Sequence, residues 1–155
     1  MGGRPRCPSK ARAFPMRVLV DTSAWVDFLN GHDSPEGRAV ADLIAGEDEL
    51  CTCGVVVAEI FQGLRGDKGR DELRQLFRKL LFLEPTGIDL YLRAGEICRL
   101  LRRRGETVRS TIDCLIAALA EENGCCILAR DRDLATILGS VLVRSRLWPA
   151  SPPRG

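Results

Sequence analysis

Near the start of the chain, three apolar residues at 18–20 run without a polar interruption into Asp21. A short apolar run that ends abruptly in polar residues indicates a strand buried on both faces. A second run of this kind, at 125–129, is also followed by an acid, Asp131. Shorter apolar segments predict two further strands, at 50–52 and 141–143. The predicted strands lie near residues 17–21, 50–52, 125–129 and 141–143.

Between these segments, apolar residues recur at helical spacing. Ser34 followed by Pro35 indicates a helix start, because serine caps helices and proline suits the first helical position. The predicted helices cover about 25–29, 35–45, 54–64, 73–81, 89–104, 114–122 and 133–138. Strands that alternate with helices form a parallel sheet with helices on both faces. The predicted fold class is therefore α/β, a three-layer α/β/α domain with a central parallel sheet of about four to five strands.

The two ends of the chain fall outside this pattern. Residues 1–15 contain glycine, proline, four cationic side chains and little apolar material, which predicts a disordered N-terminal extension. A targeting peptide is less well supported, because the segment has no apolar core. Residues 149–155 read as a disordered C-terminal tail. A single domain, 16–148, remains from the 155 residues.

Composition excludes several classes of protein. No apolar run approaches the roughly 20 residues that a membrane-spanning helix needs. The seven cysteines are scattered and there is one histidine, so neither a zinc site nor a disulfide framework is expected, and a reducing cytoplasm fits better. Without the four positive charges of residues 1–15, the net charge of +2 becomes −2. Nucleic-acid binding would therefore depend on a local site and not on bulk charge.

Four carboxylates occupy unusual positions. Asp21 and Asp131 each follow a predicted buried strand, Asp113 opens a predicted helix, and Glu59 lies inside an apolar run. Taken singly, the three aspartates can be helix caps, with Ser110 and Asp113 forming a capping box. Glu59 can lie on a solvated stripe or bind an arginine, whereas a buried, unpaired carboxylate there would be costly.

Taken together, the acids point to a site. Parallel strands end at one edge of their sheet, so Asp21 and Asp131 are expected to be neighbours, and a helix start at that edge adds Asp113. Clustered carboxylates repel one another unless protons or cations neutralise them, and Mg²⁺ or Mn²⁺ prefers oxygen ligands. Acid-bound cations of this kind hydrolyse phosphodiesters with water as the nucleophile, which predicts 5′-phosphate and 3′-hydroxyl products.

The same residues carry a family resemblance. The segments V-L-V-D-T-S-A-W at 18–25, A-E at 58–59, T-I-D-C-L-I-A-A-L-A at 111–120 and L-A-R-D-R-D-L at 128–134 resemble, in order and spacing, the motifs of the PIN domain. The compact length resembles the VapC toxins of type II toxin–antitoxin pairs. The resemblance covers about residues 16–145. It implies a magnesium-dependent cytoplasmic endoribonuclease that acts on RNA, pairs with a VapB-type antitoxin, forms a homodimer and does not enter a membrane.

The resemblance also assigns residues. It implies that Asp21, Glu59, Asp113 and Asp131 are the site acids, with Asp21 and Asp113 as the metal ligands. Neighbouring hydroxyl groups can hold water or phosphate, and an arginine cluster near residue 103 can receive RNA phosphates or acidic residues of the antitoxin, although a solvated helix end explains the cluster equally well. The residues in these supporting roles are Thr22, Ser23, Thr111, Arg103 and Arg104, with Arg99, Arg102 and Arg109 in the same cluster.

Two features depart from a simple match. At Ala129–Arg130, many PIN relatives have a small hydroxyl residue. Asp133 can share the role of Asp131, although a helix start is the favoured interpretation. One alternative function is a catalytically silent PIN-like module that binds RNA or a partner, which the presence of all four acids disfavours. Another is an aspartate-based phosphoryl-transfer domain, which needs an acid where Ser23 stands.

Overall fold

A computed structural model describes residues 14–148 of the chain. The predicted tail, 149–155, lies outside the described residues, and so does the predicted extension, 1–15, apart from its last two positions. The strands are β1 (Arg17–Val20), β2 (Glu49–Cys53), β3 (Leu81–Leu83) and β4 (Cys126–Leu128). The helices are α1 (Thr22–Leu29), α2 (Pro35–Ala45), α3 (Gly54–Gly63), α4 (Arg70–Lys79), α5 (Ile88–Arg103), α6 (Thr111–Glu122) and α7 (Arg132–Gly139).

The strands form one four-stranded parallel sheet in the order β3-β2-β1-β4. Strand β1 is central, and its Val18 lies opposite Leu50 of β2 on one side and Cys126 of β4 on the other. Because the strands run in the same direction, their carboxyl ends share one edge. The N–H of Asp21 donates to the carbonyl of Leu128 at 2.9 Å, so the residues after β1 and β4 are neighbours there. The predicted parallel sheet is confirmed.

Helices cover both faces of this sheet. Helix α1 contacts both α2 and α3, and α6 contacts both α5 and α7, which gives the predicted three-layer α/β/α arrangement. Trp25 of α1 is fully buried and packs against Phe77 of α4 with ring centroids 4.7 Å apart. The Ser34 cap is confirmed as well, since its Oγ accepts from the N–H of Gly37 at 3.0 Å.

Two local predictions were wrong. The strand predicted at 141–143 is a turn followed by irregular chain, and Val141 is 87% exposed. The chain meets β4 only later, through an isolated parallel bridge between Ile127 and Leu147. The helix predicted at 73–81 ends at Lys79, and Leu81–Leu83 form strand β3 instead. An apolar run of four residues at 80–83 is compatible with either a helix or a strand. Pairing of Leu81–Leu83 with β2 selects the strand.

Two further observations concern composition. Within residues 14–148, no helix is both long enough and apolar enough to cross a bilayer. In this part of the chain, free thiols are found at Cys51, Cys53, Cys98, Cys114 and Cys125, and all of these except Cys98 are buried.

Candidate active site

Asp21 lies at the carboxyl end of the central strand, and it also caps helix α1. Its backbone is extended, and its Oδ2 accepts from the N–H of Ser23 at 3.1 Å and from the Ser23 hydroxyl at 2.6 Å. The residue is only 7% exposed. Burial raises the pKa of Asp21, the hydrogen bonds from Ser23 partly offset that rise, and the charge of Asp131 adds to it. The capping role and the site position therefore coexist.

Asp131 combines the same two features at the next strand end. It follows β4 and caps helix α7, with Oδ1 accepting from the N–H groups of Asp133 at 2.8 Å and Leu134 at 3.0 Å. Its charge acts on Asp21, in agreement with the predicted shared edge. A carboxylate has two oxygens, so the use of Oδ1 for capping leaves Oδ2 as a potential cation ligand.

Asp113 lies where the negative charges converge. It is half-buried in the first turn of α6, a helix that Ser110 caps through the N–H of Ile112. Burial is the main cause that raises the pKa of Asp113 to about 7. The charges of four other acids raise it further, in the order Asp131, Asp21, Asp133 and Glu59. The other three predicted site acids, Asp21, Glu59 and Asp131, are thus all close enough to act on Asp113.

Glu59 belongs to the outer rim of this cluster. Glu59 lies on the exposed face of α3, between the buried residues Val56 and Ile60 in the sequence. Of the two predicted environments, the solvent-exposed one is therefore correct. Its Oε2 accepts a short hydrogen bond of 2.5 Å from the Thr22 hydroxyl. Since Thr22 follows Asp21 directly, this bond holds the Glu59 side chain near the edge where the other acids lie.

The remaining predicted residues divide into two groups. Ser23 and Thr22 each hold a site acid through a hydrogen bond. Thr111, Arg103 and Arg104 are exposed, the first at the start of α6 and the two arginines at the end of α5. The loop between these helices reaches the acids, because the N–H of Arg109 donates to Asp133 Oδ2 at 3.1 Å. The hydroxyl and the arginines therefore border the loop that contacts the cluster.

Sequence reasoning undervalued Asp133 and missed Asp27. Asp113, Asp131 and Asp133 each offer a carboxylate oxygen, and these oxygens all lie within 4.8 Å of one another. Asp27 is a buried acid of α1 that pairs with Arg130. An acid flanked by apolar residues was the signal that singled out Glu59, and Val26–Asp27–Phe28 carries the same signal.

The donor set fits a hard divalent cation. Mg²⁺ and Mn²⁺ take oxygen ligands, and three carboxylate oxygens within 4.8 Å of one another satisfy that preference. The pKa of Asp113 is raised by burial and, in part, by the negative charge of the nearby acids. A bound cation would neutralise the same charge that a proton neutralises.

Fold and site together define the class of protein: a three-layer α/β/α domain with a cluster of carboxylates at the carboxyl edge of its parallel sheet. The chain belongs to the PIN domain family, whose profile matches residues 18–138. VapC ribonuclease Mb1587 of Mycobacterium bovis and ribonuclease VapC11 of Mycobacterium tuberculosis are each 39% identical to it over 122 residues, which are 77% of this chain and 90% of theirs. The solved VapBC2 structure from Rickettsia felis, bound to a promoter DNA fragment, shares the fold with a TM-score of 0.64 at 17% identity, covering 86% of this chain and 100% of that one.

Proposed function

We propose that the protein is a metal-dependent endoribonuclease that hydrolyses RNA phosphodiester bonds, and that it is the toxin of a VapBC-type toxin–antitoxin pair. The observation that carries this proposal is the convergence of Asp113, Asp131 and Asp133 within 4.8 Å, next to Asp21 and Glu59. The ribonuclease names of relatives at 39% identity support the same activity. A silent binding module would not require so many mutually repelling carboxylates.

Each acid has a defined part in this proposal. Asp113 and Asp21 hold the cation, as the family resemblance implies, and Asp131 and Asp133 complete the carboxylate set directly or through water. Bound Mg²⁺ or Mn²⁺ supplies Lewis acidity, which lowers the pKa of water and offsets charge on the reacting phosphate. Glu59 is exposed at the rim of the cluster and adds its negative charge to the field at Asp113.

Hydroxyl and cationic groups prepare the site and receive the RNA. Ser23 fixes one oxygen of Asp21, and Thr22 fixes Glu59. The exposed side chains of Arg103 and Arg104 offer positive charge to RNA phosphates, which is the usual sequence-independent source of affinity. Thr111, exposed at the start of α6, offers a hydroxyl to water or phosphate beside Asp113.

The proposed partners and location follow the same lines. A VapB-type antitoxin is the expected protein partner, because a solved structural neighbour is itself a VapBC pair. A second copy of the chain is expected to form a homodimer. The free thiols of residues such as Cys51, Cys53 and Cys114 agree with the cytoplasm, where thiols stay reduced.

End-group analysis of cleaved RNA tests the chemistry. With Mg²⁺, the products should carry 5′-phosphate and 3′-hydroxyl ends, because water attacks the phosphorus and the ribose 2′-hydroxyl takes no part. Chelator and the Asp113→Ala variant should both stop cleavage. A histidine-based ribonuclease would instead use the ribose 2′-hydroxyl as the nucleophile and leave cyclic-phosphate ends. Cyclic-phosphate ends, or cleavage that persists in chelator, would contradict the proposal.

A matched control tests whether the loss of any acidic side chain, and not only of Asp113, reduces RNA cleavage. Asp89 is an exposed aspartate in the first turn of α5, as Asp113 is in the first turn of α6. We expect Asp89→Asn to cleave RNA at the wild-type rate. We expect Asp113→Asn to lose about a hundredfold in rate, the upper end of the loss seen even for residues that only orient metal ligands. Equal losses in the two variants would show that Asp113 has no special part.

A further inference from the structure

Arg130 connects two distant parts of the chain beside the acid cluster. It stands between the end of β4 and Asp131. Its backbone N–H donates to Ser23 Oγ at 3.0 Å, and that hydroxyl donates to Asp21 Oδ2 at 2.6 Å. Its guanidinium Nη1 donates to both carboxylate oxygens of Asp27, at 3.1 and 3.4 Å. One residue therefore ties the segment that carries Asp131 to the helix that Asp21 caps.

Asp27 is the fixed end of this connection. Its side chain is 7% exposed, whereas that of Arg130 is 59% exposed. An ionised carboxylate at such depth is costly unless it is paired and hydrogen-bonded. Burial alone would raise the pKa of Asp27, but hydrogen bonds from Ser34, His32 and Arg130 outweigh it and hold that pKa below its usual range. The carboxylate is thus charged at neutral pH and holds the guanidinium in place.

We propose that Asp27 is a positioning residue for the candidate site: through Arg130 it holds the segment 129–131 against α1, and so fixes Asp21 and Asp131 relative to each other. This proposal rests on the proposed function only in taking Asp21 and Asp131 to be metal-site acids. The anchor depends on the long side chain of Arg130, whose guanidinium reaches both carboxylate oxygens of Asp27.

The first test needs neither metal nor RNA. Asp27→Asn keeps the size of the side chain and removes its charge, which weakens its hold on the Arg130 guanidinium. In the metal-free protein, hydrogen exchange of the Arg130 amide, followed by NMR, should become about tenfold faster, because local opening of the Arg130–Ser23 bond becomes easier. An unchanged exchange rate would overturn the proposal.

The second test measures the site. Binding of Mn²⁺, titrated by calorimetry, should weaken about tenfold in Asp27→Asn, as is typical when a partner that orients metal ligands is lost. Arg130→Gln should also speed exchange of the amide of residue 130 and weaken Mn²⁺ binding. Because the Arg130 side chain is largely exposed, this variant can be used if Asp27→Asn does not fold. The double variant should be no worse than either single variant, since both act through one ion pair. Arg130→Lys should recover part of the affinity.

A matched ion pair elsewhere separates positioning from simple stability. Arg93 pairs with Glu121 at 3.1 Å across α5 and α6, and Glu121 lies about 12 Å along α6 from Asp113. Glu121→Gln should lower the melting temperature and leave Arg130 exchange and Mn²⁺ affinity unchanged. If Asp27→Asn behaves in the same way, Asp27 is only structural and the proposal fails. If Mn²⁺ does not bind the unaltered protein, the proposed function fails, and the exchange measurement still decides the positioning role.

Discussion

The protonation of Asp113 links the chemistry of the site to the stability of the fold. Burial and the neighbouring carboxylates raise its pKa to about 7, whereas a carboxyl group in an unfolded chain titrates near about 4. Between these two pH values, the native state holds a proton that the unfolded state has released. Stability therefore falls as pH rises through this window. Asp21, whose pKa burial also raises, acts in the same direction.

The first prediction uses this dependence. In chelator, the melting temperature of the wild-type protein should fall as pH rises from 5 to 8, and Asp113→Asn should flatten that fall and melt higher than wild type at pH 8. The reason is that asparagine carries no charge to repel Asp131 and Asp21. Thermal unfolding followed by circular dichroism at constant ionic strength measures it, with Asp89→Asn as the control. A variant with the wild-type pH dependence would show that the charges do not converge on Asp113.

The second prediction separates the two roles of Asp21. Asparagine caps a helix about as well as aspartate, whereas alanine at a cap costs about 1 kcal/mol. Asp21→Asn should therefore keep or raise the melting temperature of the metal-free protein and abolish cleavage, while Asp21→Ala should lose both stability and activity. If the asparagine variant is as unstable as the alanine variant, Asp21 is needed mainly for its charge in the cap of α1.

At the scale of elements, the chain is predictable wherever its signals are local. The apolar run before Asp21 and the Ser34 cap specify β1 and the start of α2 without reference to any other segment. Strand β3 is different, because its apolar residues also fit the helix before it and only pairing with β2 selects the strand. The segment 141–143 has the residue types of a strand, but the chain reaches β4 only at Leu147.

In the site, too, local sequence signals are predictable and long-range contacts are not. Asp21, Asp113 and Asp131 stand at strand ends and a helix start, so the parallel order of the sheet is enough to bring them together. The pair of Asp27 and Arg130 joins residues 103 positions apart, and no local pattern specifies such a contact. A sequence read segment by segment therefore predicts the acids and misses the anchor that holds them.

The third prediction concerns the end of α5. Charge reversal at Arg103 and Arg104 should weaken RNA binding and make it less dependent on salt, by about 1.4 in the log–log slope for single-stranded RNA if both contact phosphate. The matched control is charge reversal at Arg78 and Lys79, which are exposed cations in the last turn of α4. Binding by fluorescence anisotropy across a salt series gives the slope. If RNA cleavage and antitoxin binding are both unchanged, the two arginines are only a solvated helix end.

For the whole molecule, the proposed metal site predicts that a bound cation stabilises the native state. A ligand that binds only the native state stabilises it by RT ln(1 + [L]/Kd), which is about 2.7 kcal/mol when the free concentration is a hundred times Kd. In a domain of this size, that corresponds to a rise in melting temperature of about 10 °C. We expect Mg²⁺ and Mn²⁺ to produce this rise in the wild-type protein and in Asp89→Asn, and to produce none in Asp113→Asn. Potassium chloride at matched ionic strength controls for general screening, because screening relieves repulsion among exposed charges without occupying a site. A rise of equal size in potassium chloride, or in Asp113→Asn, would mean that the carboxylates are merely screened, and the metal site at the edge of the sheet would have to be abandoned.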